Sequence, residues 1–138
     1  MQRTFSIIKP DATKRDITGS INKIIEDNGL RITAQKRIQL SVSQAKEFYS
    51  IHRDKSFFND LIEYMTSGPV IVQVLDGPDA VSCYRNIMGA TNPDQAKEGT
   101  IRKMHALNVQ ENSVHGSDSN VNAEKEINFF FREDEIVG

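Results

Sequence analysis

The 138-residue sequence predicts an α/β sandwich in which helices cover a four-stranded antiparallel sheet. Segments with apolar residues at every second position alternate along the chain with segments of helical spacing, and proline or glycine stands at several of the boundaries. The composition, 38% hydrophobic and 26% charged, is typical of a globular protein. We therefore expect a single domain over residues 1–138.

The first predicted strand and helix are followed by a longer strand. "TFSII" at 4–8 is rich in β-forming residues and stops before Pro10. Apolar residues at 21–25 share one helical stripe, and Gly29 supplies the left-handed residue that often ends a helix. Residues 30–40 then alternate between apolar and polar side chains, which predicts a strand with one buried face.

Two helices are predicted in the middle of the chain. Ser41 and Gln44 resemble a capping box, so a helix begins there. An apolar stripe over residues 58–65 indicates the second helix, and Gly68 followed by Pro69 ends it.

The second half completes the sandwich. "VIVQVL" at 70–75 predicts a strand buried on both faces, and a helix follows at 79–88. Residues 90–110 show little periodicity and are predicted to form an irregular loop, which at this length is usually functional. A short strand at 113–115 and a helix starting near Ser119 give a split βαβ order, the ferredoxin-like form of the sandwich.

The charge and the composition argue against several classes of protein. The net charge of −2 is not that of a basic nucleic-acid binder, so any anion site must be local. The apolar run at 70–75 is too short to cross a membrane, and the N-terminal segment lacks the apolar stretch of a signal peptide, so we expect a cytoplasmic protein. The single cysteine, Cys83, excludes an internal disulfide and is expected to be a buried helical thiol.

Three cations from distant segments are candidate phosphate ligands. Lys9 follows the first strand, Arg85 lies in the helix at 79–88, and Arg102 falls in the predicted loop. Each alone is more typical of a solvated surface charge, but together they can surround a polyphosphate. Thr91 and Asn112 can add neutral hydrogen-bond donors.

Two aromatic residues bracket the turn between the middle helices. Phe58 belongs to the apolar stripe, which leaves Phe57 facing elsewhere, eight residues after Tyr49. A slot of this kind can hold a nucleobase by its π-face without distinguishing between bases. Packing of both rings between the helices explains the pattern equally well.

The third chemical feature is His115, which lies among small polar residues in "NSVHGSDS", residues 112–119. A neutral imidazole carries a free lone pair and can act as a nucleophile. Gly116 leaves room for a phosphate, Ser117 can donate a hydrogen bond, and Glu126 lies off the apolar stripe of the last helix, where it can hold the imidazole.

Two alternatives for His115 stay open at this point. The same sequence also fits a polar turn in which the histidine has no chemical role. Metal ligation requires further ligands, and neither His52 nor His105 stands in a helical i, i+4 relation to His115.

"NSVHGSDS" closely resembles the active-site signature N-x-x-H-G-S-D of the nucleoside diphosphate kinases. The resemblance extends over nearly the whole chain, in the same order and with similar spacing. The matching segments are "IIKPDA", "FYSIHRDKSFF", "YMTSGPV", "YRNIMGATNP", "GTIR" and "NAEKEINFFF".

The resemblance implies a ping-pong reaction in which His115 takes the γ-phosphate of a nucleoside triphosphate and passes it to a nucleoside diphosphate. Ser117 and Glu126 match the residues that support the histidine, and Lys9 matches a catalytic residue. The resemblance further implies Mg²⁺ bound through the nucleotide phosphates, with Asp118 contributing through a water molecule. The residues that match the family's phosphate and ribose contacts are Lys9, Tyr49, Arg85, Thr91, Arg102 and Asn112, and those around the base are Phe57, Leu61 and Val109.

The chain departs from the family pattern in two places. After "GTIR" the family usually has a small or acidic residue and then an aromatic one, whereas this chain has Lys103, Met104 and His105, so that Met104 or His105 takes the packing place of the aromatic. The C-terminal "EDEIVG" is shorter than in family members whose tail reaches a neighbouring subunit. The family implies a homo-oligomer, hexamer or tetramer, and the short tail leaves both open.

A binding module without phosphotransfer is the alternative function, because ferredoxin-like sheets often bind RNA through exposed aromatic residues. The outward positions of the strand at 30–40 carry no aromatic residue, which disfavours this alternative. These positions are Arg31, Thr33, Gln35, Arg37 and Gln39.

Overall fold

The structure, a computed structural model, describes residues 1–138 as a four-stranded antiparallel sheet with helices packed on it. The strands follow the order β2-β3-β1-β4 across the sheet. The strands are β1 (Gln2–Ile8), β2 (Arg31–Ile38), β3 (Val70–Gly77) and β4 (Val114–Gly116). The helices are α1 (Pro10–Lys14), α2 (Thr18–Asp27), α3 (Val42–Phe48), α4 (Phe58–Met65), α5 (Ala80–Met88), α6 (Ile101–His105) and α7 (Asn120–Phe130). The predicted ferredoxin-like α/β sandwich is confirmed.

The sheet separates two apolar clusters. The first packs α3, α4 and α7 on one face, with Phe5, Val72 and Ile127 fully buried. The second packs α2 and α5 on the other face around Leu75 and Tyr84. Because side chains alternate across a strand, β1 and β3 contribute to both clusters and are buried along nearly their whole length. The predicted strand at 70–75 is therefore buried on both faces, as expected.

Strand pairing fixes the position of the short strand β4. Ser6 of β1 pairs with Gly116, and Ile7 pairs with His115. On its other side β1 runs antiparallel to β3, with Ile7 opposite Val72. The histidine thus lies on an edge strand against the buried centre of the sheet.

Several predicted helix boundaries are confirmed. The Ser41 hydroxyl accepts from the backbone N–H of Gln44, and the Gln44 side chain accepts from the N–H of Ser41, which completes the capping box. Ser119 caps α7 by accepting from the N–H of Asn122.

Two local predictions were wrong, and one helix was missed. β1 ends before Pro10, as predicted, but Pro10 also begins the unpredicted helix α1, because its fixed φ suits the first turn of a helix. A bulge between Ile32 and Ala34 interrupts the alternation of β2, so Thr33 is buried instead of facing outward. Residues 90–110 are not wholly irregular, since α6 lies within them and Arg102 is a helical residue.

Smaller differences concern side-chain burial. Cys83 lies in α5, as predicted, but is half-buried. In α6, Met104 is exposed and His105 is half-buried, so His105 is the residue that packs inward. None of the helices is long and apolar enough to cross a lipid bilayer.

Candidate active site

The His115 side chain is surrounded by aromatic rings at the edge of the sheet. Its ring centroid is 5.5 Å from that of Phe48, 6.2 Å from that of Phe5 and 6.4 Å from that of Tyr49. Even so, 21% of the side chain is exposed. The ring is therefore held by packing and remains open to a ligand.

A carboxylate from α7 orients the imidazole. The Nε2 atom of His115 lies 2.9 Å from Glu126 Oε1, and the Ser117 hydroxyl donates to the same oxygen over 2.7 Å. An ionised carboxylate only accepts hydrogen bonds, so Nε2 carries the proton and the lone pair of the neutral ring is on Nδ1. Nδ1 makes no hydrogen bond within the chain and is not among the fully buried polar atoms, so a ligand can reach it.

Gly116 allows β4 to lie close to α5. A Cβ atom at this position would stand 2.7 Å from Met88 Sδ and 2.8 Å from the Tyr84 ring. The Tyr84 side chain cannot easily move away from such an atom, because its hydroxyl is hydrogen-bonded to Ser6 over 2.8 Å and the side chain is fully buried. The sequence led us to expect that Gly116 leaves room for a phosphate, whereas in the structure the space that a Cβ would need is taken by side chains of helix α5.

Lys9 and Asn112 form one unit of the site. Lys9 Nζ donates to Asn112 Oδ1 over 2.9 Å, and both residues are buried. Burial lowers the pKa of Lys9 to about 8, and the positive charge of Arg102 adds to the effect, while the negative charge of Asp11 opposes it. The ammonium group is thus charged at neutral pH but loses its proton in mildly alkaline solution unless it gains a negative ligand.

Arg102 is anchored by backbone carbonyls. Its Nη1 donates to Gly89 O over 3.1 Å and its Nη2 to Val114 O over 2.9 Å, while its Nε is buried without a partner. Burial lowers the pKa of the guanidinium, which nevertheless stays charged. Of its five N–H groups, at least three remain for a ligand.

Tyr49 is buried, and its hydroxyl has no hydrogen-bond partner. Burial raises the pKa of this phenol, and the nearby Glu126 carboxylate raises it further. Its ring packs edge-on against Phe48 at 4.9 Å. The ring therefore packs among the helices beside His115, as one sequence interpretation expected, and its hydroxyl is a buried donor without a partner.

The predicted base contacts Phe57 and Leu61 are at least partly exposed. Phe57 is 48% exposed, and its ring is 5.5 Å from that of His52, which in turn lies 6.4 Å from that of Tyr49. Leu61, one turn further along α4, is half-buried. Phe57, the N-cap residue of α4, and Leu61 are four residues apart and so lie on the same face of that helix.

Arg85 is exposed on α5 and close enough to Asp118 to help lower the pKa of that carboxyl, whose main cause is a hydrogen bond from Asn122. Thr91 and Val109 are exposed, and neither forms a side-chain hydrogen bond to another candidate. The structure thus brings His115, Ser117, Glu126 and Tyr49 together, and it joins Lys9, Asn112 and Arg102 next to them.

Sequence reasoning missed two residues beside the site. Phe48 contacts the His115 ring, yet nothing in the spacing distinguishes it from its neighbour Tyr49. Asp11 lies under Lys9 as part of the unpredicted helix α1, and its position after proline was the only signal.

The carboxylates, histidines and cysteine of the chain do not cluster as a metal cage. No three of them are arranged to hold a metal ion. Asp118 is the acidic side chain at the mouth of the site, and its carboxylate accepts from Asn122 Nδ2 over 2.6 Å.

Comparisons with known proteins show the family to which the chain belongs. The family model described as nucleoside diphosphate kinase matches residues 2–136. The chain belongs to the nucleoside diphosphate kinase family. It is accordingly a nucleotide-binding phosphotransferase that moves the terminal phosphate of a nucleoside triphosphate to a nucleoside diphosphate, and the RNA-binding alternative is not favoured.

Individual members of the family are close in sequence and in structure. Nucleoside diphosphate kinase of Phenylobacterium zucineum is 64% identical over 137 residues, covering 99% of both chains. The enzyme of Azorhizobium caulinodans is 62% identical over 138 residues, covering 100% of this chain and 99% of the relative.

Among solved structures, that of the Aquifex aeolicus nucleoside diphosphate kinase superposes with a TM-score of 0.95 at 38% identity, covering 99% of each chain. The Halobacterium salinarum nucleoside diphosphate kinase, solved in complex with CDP, superposes with a TM-score of 0.95 at 39% identity over 99% of this chain and 91% of the other.

Proposed function

We propose that His115 is the phosphate carrier of this nucleoside diphosphate kinase and that Nδ1 is the attacking atom. The hydrogen bond between Nε2 and Glu126 carries this assignment, because it leaves the lone pair on the nitrogen that a substrate can reach. Ser117 supports the same carboxylate and so keeps the ring in one orientation.

The reaction then proceeds in two balanced steps. The Nδ1 lone pair attacks the γ-phosphorus of the triphosphate, the bond from that phosphorus to the bridging oxygen breaks, and the diphosphate leaves with the electron pair. A second diphosphate attacks the phosphorus through its terminal phosphate oxygen, the P–N bond breaks, and its electron pair returns to Nδ1. Positive charge carried on the Nε2 side of the ring during the first step is stabilised by Glu126.

The cations compensate the charge on the transferred group. Lys9 and Arg102 are buried near the histidine, where low polarity strengthens their attraction for phosphate oxygens. Each terminal nitrogen of Arg102 uses one N–H group on a backbone carbonyl, which leaves a second N–H group on each to donate to phosphate oxygens. We assign phosphate and ribose contacts to Lys9, Tyr49, Arg85, Thr91, Arg102 and Asn112, and base contacts to Phe57, Leu61 and Val109.

The cofactor proposed is Mg²⁺, carried by the nucleotide. The chain offers no three-ligand cage, which fits an ion that takes most of its ligands from phosphate oxygens and water, with Asp118 reaching it through a water molecule. When bound, the ion would neutralise phosphate charge during transfer. We also propose that residues 1–138 act as a single cytoplasmic domain that assembles into a homo-oligomer, hexamer or tetramer, which light scattering of the purified protein would determine.

The test of the carrier assignment is covalent labelling. Incubation with γ-³²P-ATP is expected to give an acid-labile, base-stable label that an added nucleoside diphosphate removes, and chromatography after alkaline digestion should identify histidine phosphorylated at Nδ1. His115→Ala should abolish the label. His105→Ala is the matched control and should keep it, because His105 lies in α6 and makes no contact with the Glu126 carboxylate. Label that survives in the first variant and disappears in the second would reverse the assignment.

A further inference from the structure

Asp11 is a buried carboxylate that lies beneath the phosphate-binding cations. Only 1% of its side chain is exposed. Its Oδ1 accepts from the backbone N–H of Ser113 over 3.2 Å and from the Tyr64 hydroxyl. Its Oδ2 accepts from the Ser113 hydroxyl over 2.8 Å and from Arg15 Nη2 over 3.0 Å. The carboxylate thus joins α1, α4 and the turn before β4.

The turn that Asp11 holds has a disfavoured backbone. Ser113 has φ of +73°, a left-handed conformation that non-glycine residues rarely adopt. Its N–H and hydroxyl are both bonded to Asp11, and its carbonyl accepts from the N–H of Lys9 over 2.8 Å. These three hydrogen bonds fix the conformation.

The neighbours of Ser113 are functional atoms. Asn112, one residue earlier, accepts from Lys9 Nζ, and the carbonyl of Val114, one residue later, accepts from Arg102. A change in the turn would therefore move the partners of both buried cations together.

Asp11 also has an electrostatic effect on Lys9. The charged groups that act on the Lys9 ammonium are Arg102 of α6, which disfavours its charge, and Asp11 of α1, which favours it. Asn112, from the turn before β4, is neutral. Arg15 shares the Asp11 carboxylate and also donates to the carbonyl of His105 over 2.7 Å, which ties the end of α6 to α1.

We propose that Asp11 is a positioning residue for phosphoryl transfer, which fixes the turn at residues 112–114 and places a buried negative charge next to Lys9. The proposal rests on the proposed function, in which Lys9 and Arg102 hold the phosphates. Asp11 itself need not touch the substrate.

The test compares the pH profiles of three full-length variants by steady-state kinetics. Asp11→Asn keeps the shape of the side chain but removes its charge. It should lower kcat/KM about 10- to 100-fold. It should also shift the alkaline decline of the kcat/KM pH profile about one pH unit toward lower pH. Ser113→Ala removes one hydrogen bond and keeps the charge, so it should lower kcat/KM without moving the limb.

Thr13→Val is the matched structural control. Thr13 is buried on the same helix, and its hydroxyl donates to the carbonyls of Pro69 over 2.6 Å and Pro10 over 3.2 Å. Its contact with Lys9 is made by its backbone N–H, which valine keeps. This variant should lower the melting temperature while leaving the pH profile and kcat/KM as in the wild type.

Three results would overturn the proposal. They are an unshifted alkaline limb in folded Asp11→Asn, an equal shift in Thr13→Val, and wild-type kcat/KM in Ser113→Ala. If Asp11→Asn does not fold, the kinetics of Ser113→Ala decide the positioning role alone. Failure of the proposed function is seen separately, because the wild type would then acquire no label on His115 whatever the variants do.

Discussion

The substitution Gly116→Ala tests whether close packing of β4 on α5 aims the catalytic histidine. The added Cβ would lie 2.7 Å from Met88 Sδ and 2.8–2.9 Å from two ring atoms of Tyr84, distances well inside van der Waals contact. Both neighbours are fully buried or nearly so, and the Tyr84 hydroxyl is tied to Ser6. We therefore expect strand β4, which carries His115, to shift away from α5.

Overpacking of this kind costs about 1–3 kcal/mol, which corresponds to a decrease of about 3–12 °C in Tm for a domain of this size. A displacement of the imidazole approaching 1 Å lowers the rate of a positioned reaction about 100-fold. We therefore expect kcat/KM to fall between about 10- and 100-fold, with the larger part of the loss in kcat, because the phosphate-binding cations lie on other elements.

The assay is coupled steady-state kinetics together with thermal unfolding. Gly19→Ala is the matched control, since a Cβ at that position of α2 meets nothing within 4 Å, and it should leave activity unchanged and stability equal or slightly higher. In the double variant Gly116→Ala with Met88→Ala, the losses should be less than additive, because the second change removes the nearest clash. Wild-type Tm and kcat in Gly116→Ala would refute the packing explanation.

Three further predictions follow from the same contacts. Glu126→Gln should lower kcat about 10- to 100-fold with little change in Tm, because an amide can donate to Nε2 and so favours the wrong tautomer of His115; the fraction labelled by γ-³²P-ATP in single-turnover experiments measures this loss. The lowered pKa of Lys9 means that its charge is present below pH about 8 and is lost above it, so kcat/KM should decline through that range, and a profile flat to pH 10 would contradict this. Ser41→Ala removes the capping box of α3 and should reduce the free energy of unfolding by about 1 kcal/mol, measured by urea titration, without altering kcat.

Most residues of the site were predicted from the resemblance to the family, but the pair formed by His115 and Glu126 also has support from local periodicity. The position of Glu126 follows from the stripe of α7, since Ala123 and Ile127 are buried and Glu126 must then face a different direction. With β4 paired to β1, that direction leads to His115. The pair could be predicted because each residue lies in a regular element whose phase can be read.

The parts that were missed depend on tertiary contacts without a periodic signal. The bulge at Thr33 inserts one residue into β2, and no composition signal in the alternating segment marks it. Helix α6 is a single short turn, so its formation depends on the Thr100 cap and on the anchoring of Arg102 more than on helix propensity. The role of Asp11 requires three distant segments to meet, which no window of sequence contains.

Unfavourable local features of the structure are concentrated around His115. Burial costs Lys9 part of its affinity for the proton, Tyr49 and Arg102 each keep a buried donor without a partner, and Ser113 has a disfavoured backbone conformation. All of these groups belong to or adjoin the proposed phosphate site, where a polyphosphate would supply negative charge next to Lys9 and Arg102. Because a ligand that binds the folded state stabilises it, nucleotide should raise the free energy of unfolding of this chain. The same donors are in place before the reaction begins, so little reorganisation is needed when charge develops on the transferred phosphoryl group.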